Sequence, residues 1–379
     1  MINKISFKNY KLFKEKQTLE LKPITILIGK NNSGKSAVLK LPTMISASLD
    51  ADFNAPILLE NSGVKIGLSY EDLFYNREIT GEALEFEISS ITNNVQVSIT
   101  GDRFDKINIT KYIYNGNEIN IDKSTKIKGF LINDIVKQID FKFDYDYIDS
   151  IRFYPDNQFS DIYGEYSKIG ANGENAYKLL AQYSQLSNPI LSKISEWFDE
   201  NFEGWKLAVK DISGTTKSYE IVLYNKNIKP INIFNTGSGI KQSLPLIVRS
   251  FMPVEDETLI IIEEPETHLH PAAHGNLAER FVDSYNEDNR RRYLIETHSE
   301  NFILRIQRLI ADKTISKDEV KIYYVDYDEN EFCSNLKEIF IEDDGEIEDW
   351  PDNVFNESLD EVIKLRKAQK DRENASSNS

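Results

Sequence analysis

The chain has 379 residues, 40% of them hydrophobic, which is enough apolar material for one large domain or two joined ones and excludes a chain that cannot form a core. Acidic residues outnumber basic ones 62 to 45, and the formal charge of −17 excludes a uniformly basic nucleic-acid-binding surface while leaving room for a local basic groove. The single cysteine, Cys333, excludes an internal disulfide framework, and no apolar run reaches the roughly 20 residues that span a bilayer. Met1-Ile2-Asn3-Lys4 opens on a strand-like pattern without a signal-peptide layout, so a cytoplasmic protein with no membrane partner is expected.

Residues 1 to 28 predict strands: Ile2, Ile5 and Phe7 nearly alternate, Leu19 and Leu21 do the same, and Ile24-Thr25-Ile26-Leu27-Ile28 is a short buried run. A helix is expected from Gly34 to about Ala47, with a kink or early stop at Pro42. From about 65 to 150 the texture is β-like, as in Val95-Gln96-Val97-Ser98-Ile99, with Asn-, Asp- and Gly-rich turns. Helices follow near 173–184 and 189–203, the second placing Ile190, Ile194, Trp197 and Phe198 on one face, and strands near 205–211 and 218–224 lead to Gly237. No heptad seam marks a coiled-coil arm. From residue 238 the order is helix, strand (Leu259 to Ile262), helix (Pro271 to about Tyr285), strand (Tyr293 to Ile295) and helix (Glu300 to about Ile310). Strands at Val320 to Asp326 and Asn335 to Ile341, a helix over about 356 to 370 and a disordered end complete the chain.

The β–α alternation predicts an α/β fold, a head with a mostly parallel sheet flanked by helices, plus an inserted β-rich and helical lobe. The expected divisions are 1–48 and 231–311 for the two parts of the head, 49–230 for the lobe, 312–371 for a C-terminal extension and 372–379 for the tail.

Gly29-Lys30-Asn31-Asn32-Ser33-Gly34-Lys35-Ser36 has the P-loop spacing, with an apolar strand before it and a helix after it. Gly29 and Gly34 let the backbone of Asn31, Asn32, Ser33 and their neighbours through Ala37 turn its N–H groups on a phosphate, where the helix N-terminus adds about half a positive charge. Lys35 is placed to bridge the β- and γ-phosphates of ATP, and the Ser36 hydroxyl to ligate magnesium. Leu259-Ile260-Ile261-Ile262-Glu263-Glu264-Pro265 is a buried strand delivering two carboxylates to the edge of such a sheet. There Glu263 can hold magnesium and Glu264 can act as general base on the attacking water. Glu263 is one methylene longer than the usual Asp. Arg290-Arg291-Arg292 reads as a solvated loop before a strand or as a basic patch, and Glu342-Asp343-Asp344-Gly345-Glu346-Ile347-Glu348-Asp349 as a solvated acidic loop or a dock for a basic partner.

Asn235-Thr236-Gly237-Ser238-Gly239 opens a helix about 20 residues before the acidic strand, and with the loop it resembles the ABC-type ATPases. That resemblance implies a signature helix: Ser238 and Gly239 point at the γ-phosphate held by a second protomer, Gln242 adds a contact, and His298 of Ile295-Glu296-Thr297-His298-Ser299 senses the γ-phosphate, with Ser299 a helix cap. His268, His270 and His274 lack the spacing of a zinc set, and Glu264-Pro265-Glu266-Thr267-His268-Leu269-His270-Pro271 resembles the loop by which some of these ATPases contact the opposite protomer.

Together with Asn9-Tyr10-Lys11-Leu12-Phe13, which looks like the opening segment of RecF and SMC heads, these motifs resemble the OLD, RecF and Septu-type group of prokaryotic ATPases over residues 1–45 and about 230–310. Gly345 to Pro351 looks like the C-terminal extension of some members. The 69 residues after Ile310 are too few for the TOPRIM nuclease of OLD proteins, so a nuclease effector is expected on another polypeptide. The resemblance implies a magnesium-dependent ATPase that forms a homodimer or higher homo-oligomer through an ATP sandwich and controls a separate effector in anti-phage defence. The alternative is a RecF-like repair ATPase acting directly on DNA; a non-hydrolysing scaffold and a small-molecule kinase rank below both.

Overall fold

A computed structural model describes residues 2–50, 53–121, 125, 127–132, 144–160, 164, 166–214, 217–347, 350–351, 354–355 and 364–369. Its central sheet runs in the order β12 (Asp144–Ile148), β16 (Thr258–Glu263), β17 (Arg291–Glu296), β3 (Ile24–Gly29), β18 (Val320–Asp328) and β19 (Cys333–Ile339). The first five are parallel and only β19 is antiparallel. Of these, β3 and β16 are apolar almost without interruption because both faces of the sheet are covered at its centre. Ile24, Ile26, Ile28, Ile260, Ile262, Tyr293 and Ile295 pack into one core, and Leu27, Leu259, Ile261, Leu294, Tyr323 and Val325 into a second on the other face.

Helices α3 (Ala176–Gln185), α4 (Pro189–Asn201), α5 (Ser238–Phe251), α6 (Pro271–Glu287) and α7 (Glu300–Ala311) fill the first core. As the sequence predicts, Ile194 and Phe198 of α4 are buried, and Ile190 and Trp197 pack partly buried beside them. The second core lies between the central sheet and an antiparallel sheet of order β2 (Gln17–Glu20), β1 (Lys4–Lys8), β6 (Leu84–Ser89), β7 (Asn94–Gly101), β8 (Ile107–Tyr114) and β9 (Asn117–Glu118). Short pairs β4 (Glu60–Asn61) with β5 (Val64–Lys65) and β10 (Ile127–Lys128) with β11 (Leu131–Ile132), and a sheet of β13 (Lys206–Asp211), β14 (Tyr219–Asn225) and β15 (Ile228–Asn232), complete the fold.

The helix after the loop is interrupted near Pro42, as expected. It divides into α1 (Lys35–Leu39) and α2 (Leu41–Asp50), broken at Lys40 because Pro42 has no N–H to donate and its ring crowds the carbonyl of Val38. Residues 41 to 49 of α2 are all buried, as befits a helix between two sheets. Strands from the 49–230 stretch serve both sheets: β6 pairs with β1, and β12 forms the edge of the central sheet. Arg291 and Arg292 are also not in a solvated loop. They begin β17, where Arg291 bonds the Ser284 carbonyl at 3.2 Å and Arg292 that of Leu21 at 3.2 Å, so of the three Arg290 alone precedes the strand, its guanidinium chelated by Asp288. Of the expected C-terminal helix, residues 364–369 are helical; the rest of that span and the tail at 372–379 lie outside the described residues.

Candidate nucleotide site at the C-terminal edge of the parallel sheet

Because β3, β17 and β16 are adjacent and parallel, their C-terminal ends open on one crevice, the place where open α/β sheets bind ligands. The loop leaving β3 is held tightly from below. Gly29 has φ +152°, and a Cβ there would lie 2.5 Å from the Val325 carbonyl oxygen of β18. Gly34 has φ +100°, and its Cβ would meet the Phe13 ring at 3.1 Å. Ser33 is buried, its carbonyl accepting from Ser334 Oγ at 2.7 Å. Asn31, Asn32, Gly34, Lys35, Ser36 and Ala37, with Glu264, Glu296 and His298, line a cavity of about 640 Å³.

Lys35 is 4% exposed and donates to the carbonyls of Gly29 at 3.1 Å and Lys30 at 2.8 Å. Burial lowers its pKa, and Glu296, 3.7 Å away, opposes that shift. The Ser36 hydroxyl donates to Glu296 Oε2 at 2.9 Å. Among the described residues no carbonyl accepts from the N–H groups of Gly34, Lys35 or Ser36. Free N–H groups at a helix start, a lysine and a hydroxyl above a glycine-shaped floor fit the triphosphate and its magnesium.

The acidic pair divides. Glu264 lines the cavity, its Oε2 accepting from Thr267 Oγ1 at 3.1 Å and its Oε1 lying 3.7 Å from His298 Nε2. Burial and the charge of Lys35 hold the His298 imidazole below its ordinary pKa, so it is neutral near pH 7. Glu263 instead accepts the Tyr147 phenol of β12 on its Oε2 at 2.9 Å. The Glu264 backbone has φ +42°, a conformation that costs a non-glycine residue about 1–3 kcal/mol. Arg152 holds it there: buried, it donates Nη2 to the carbonyls of Glu263 at 2.7 Å and Glu264 at 2.9 Å. Glu266 receives the His298 N–H, and Ser299 caps α7 as expected by accepting from the Phe302 N–H at 3.1 Å.

Two residues of this site were not singled out from the sequence, Arg152 and Glu296. Arg152 carries no spacing signal. Glu296 does: Tyr293-Leu294-Ile295 ends in a carboxylate just as Leu259 to Ile262 does, and the two glutamates are register partners on neighbouring strands. Burial, opposed by Lys35 and reinforced by Glu263, pushes the Glu296 carboxyl up to about 7.

Ser238 and Gly239 lie outside this cavity, at the start of α5 and beside the 264–271 loop, with Ser238 exposed and a Gly239 Cβ 2.9 Å from the His268 carbonyl. Gln242 is 6% exposed, and both ends of its amide meet the Arg152 backbone, at 3.3 and 3.4 Å, so the interior and not a second protomer receives it. Two of the remaining histidines have structural places: His270 accepts the Ala272 N–H as the cap of α6, and His274 bridges Ser299 Oγ at 2.7 Å and the Leu269 carbonyl at 3.2 Å, while the His268 side chain is exposed. Among the described residues, no helix is long and apolar enough to cross a membrane.

Comparison with known proteins agrees with this geometry. The sequence family described as "AAA domain, putative AbiEii toxin, Type IV TA system" matches residues 24–305, and one described as "Protein of unknown function (DUF3696)" matches residues 315–365. No curated protein matches the chain. Among solved structures it is similar to an SMC head bound to the C-winged helix domain of ScpA, at TM-score 0.51 and 14% identity over 89% of this chain and 98% of that one. Two others are the SMC head domain from Thermotoga maritima (TM-score 0.47, 11% identity, 90% of this chain and 99% of that one) and an Smc head with an extended coiled coil bound to the C-terminal domain of ScpA derived from Pyrococcus furiosus (TM-score 0.48, 13% identity, 97% and 99%). The first likeness shows the fold, an α/β head like that of the SMC protein. Since the first family match runs from the strand before the phosphate loop into α7, this chain belongs to that AAA domain family of ATPases.

Proposed function

We propose that the protein is a magnesium-dependent ATP-hydrolysing switch that pairs with a second copy on binding nucleotide and controls a separate effector, a nuclease by our reading, in anti-phage defence. One observation carries the pairing: the loop, Glu264, Glu296 and His298 share a cavity, whereas Ser238 is exposed outside it on the same chain. A signature serine so placed serves the nucleotide of a partner. The family description, which names a toxin of a type IV TA system, supports a second protein.

In this reading the N–H groups of Gly34 to Ser36 and the Lys35 ammonium hold the β- and γ-phosphates. Bound magnesium would neutralise charge across those two phosphates. Glu264 takes a proton from the attacking water, a role worth roughly 10²- to 10⁴-fold in rate. His298, neutral and next to Glu264, donates to the γ-phosphate and registers its departure.

The test is the mass of the purified chain in solution with and without magnesium and ATP, using Glu264→Gln to stop turnover. The expected result is a nucleotide-dependent dimer that Ser238→Arg prevents while nucleotide affinity is unchanged. Co-purification with the product of the adjacent gene, compared with and without ATP, tests the effector. Unchanged mass and unchanged co-purification refute the switch, and salt-sensitive, ATP-dependent duplex binding would favour direct action on DNA instead.

A further inference from the structure

We propose that Glu296, and not Glu263, is the carboxylate that joins the Ser36 hydroxyl in holding the divalent cation of this site; the inference rests on the magnesium-nucleotide reading above. Topology sets the starting distances. Within the sheet, β17 lies between β16 and β3, so Glu296 ends the strand next to the one that feeds the loop and Glu263 ends the strand beyond. At about 4.8 Å per strand, the Glu263 backbone begins roughly 10 Å from β3.

The side chains widen that difference. Glu263 Oε2 is engaged at 2.9 Å by the Tyr147 phenol of β12, on the side of β16 away from the loop. Glu296 turns toward the loop, with both oxygens near Ser36 Oγ, at 2.9 and 3.3 Å, and Oε1 3.7 Å from the Lys35 ammonium. Glu296 is 3% exposed, so this arrangement is packed in place. One ligand atom each from Glu264, Glu296 and His298 lies within 4.8 Å of the others, which shows that the cavity already converges on one point.

Charge favours a cation there. The charges of Glu263 and Glu264 both act on Glu296, and among the described residues that line the cavity Lys35 is the single ammonium. Magnesium prefers oxygen donors and takes one or two carboxylates with substrate phosphates, which selects Ser36 and Glu296 over the His298 nitrogen. The metal position therefore moves one strand from the end of β16 to the end of β17, and the longer Glu263 becomes a brace to β12.

Calorimetric affinity for a non-hydrolysable ATP analogue, measured in EDTA and again in magnesium, tests this without turnover. The readout is the ratio of the two affinities. Glu296→Gln is expected to keep the EDTA affinity, which also shows that it folds, and to lower the magnesium-dependent ratio by about tenfold or more. Glu263→Gln is expected to keep the wild-type ratio. Loss of the ratio in Glu263→Gln, or its retention in Glu296→Gln, overturns the assignment while leaving the nucleotide reading intact. The Glu263→Gln arm decides the matter even if Glu296→Gln does not fold. A wild type that binds the analogue equally well with and without magnesium also overturns it, and one that binds no analogue in either buffer removes the nucleotide reading itself.

Discussion

Arg152→Met isolates the backbone on which Glu264 depends. The guanidinium is 4% exposed, and one nitrogen, Nη2, bonds the carbonyls of both Glu263 and Glu264. Burial lowers its pKa, with the charge of Glu266 opposing most strongly. Each charge-assisted bond contributes about 1.5–3 kcal/mol, and removing a buried charge returns part of that, so a net stability loss of about 2–3 kcal/mol is expected. The greater effect is positional. Without Arg152 the positive φ of Glu264 is free to relax, and a shift of about 1 Å at a general base costs roughly 100-fold in rate. The phosphate loop has no bond to Arg152, so kcat should fall about 100-fold with nucleotide affinity nearly unchanged. Urea unfolding gives the stability term, phosphate release gives kcat and calorimetry gives affinity. Unchanged kcat, or kcat and affinity falling together, would refute the positioning role.

Glu296→Gln should also change the pH dependence of the metal-free chain. The native carboxyl is pushed up to about 7, so its stabilising neutral form is fully present below the ordinary carboxyl range and is lost as pH rises through about 7. At about 1.4 kcal/mol per pH unit between the two values, the variant should be more stable near pH 8 by about 3 kcal/mol and equal to wild type under acid conditions. Equal urea midpoints at both pH values would contradict this. Gly29→Ala sets a Cβ 2.5 Å from the Val325 oxygen at φ +152°, and should cost about 1–3 kcal/mol and weaken nucleotide binding; a wild-type midpoint and affinity would exclude the tight floor. Asp146→Ala removes the partner of buried Arg249, 2.6 Å away, and should lower stability by about 3–5 kcal/mol; a loss below about 1 kcal/mol would show that the pair does not tie β12 to α5.

The phosphate loop was legible because its chemistry needs fixed residues at fixed spacing, from Gly29 to Ser36, immediately after an apolar run. The same holds for the places of Glu264 and His298, each just beyond an apolar run of strand length, and for the Ser299 cap. Strand order was not legible. Nothing in the alternation of Tyr145, Tyr147 and Ile148 reveals that β12 leaves the β-rich stretch to flank β16, yet that neighbour is what turns Glu263 away from the loop. Gln242 and Arg152 show a second limit. They lie 90 residues apart, and only folding pairs the amide with the backbone that carries the guanidinium. The arginine run was misread because charge in sequence reads as exposure, whereas Arg291 and Arg292 spend their guanidinium groups on carbonyls inside the fold.

The claim on which the rest stands is that the C-terminal edge of β3, β16 and β17 receives a nucleotide through its triphosphate. Titration of the purified chain with ATP and magnesium in a calorimeter, repeated with Lys35→Ala, tests it most directly. Saturable heat at one nucleotide per chain that vanishes in the variant is the predicted result. No heat with the wild type, or equal heat from both proteins, would contradict the account.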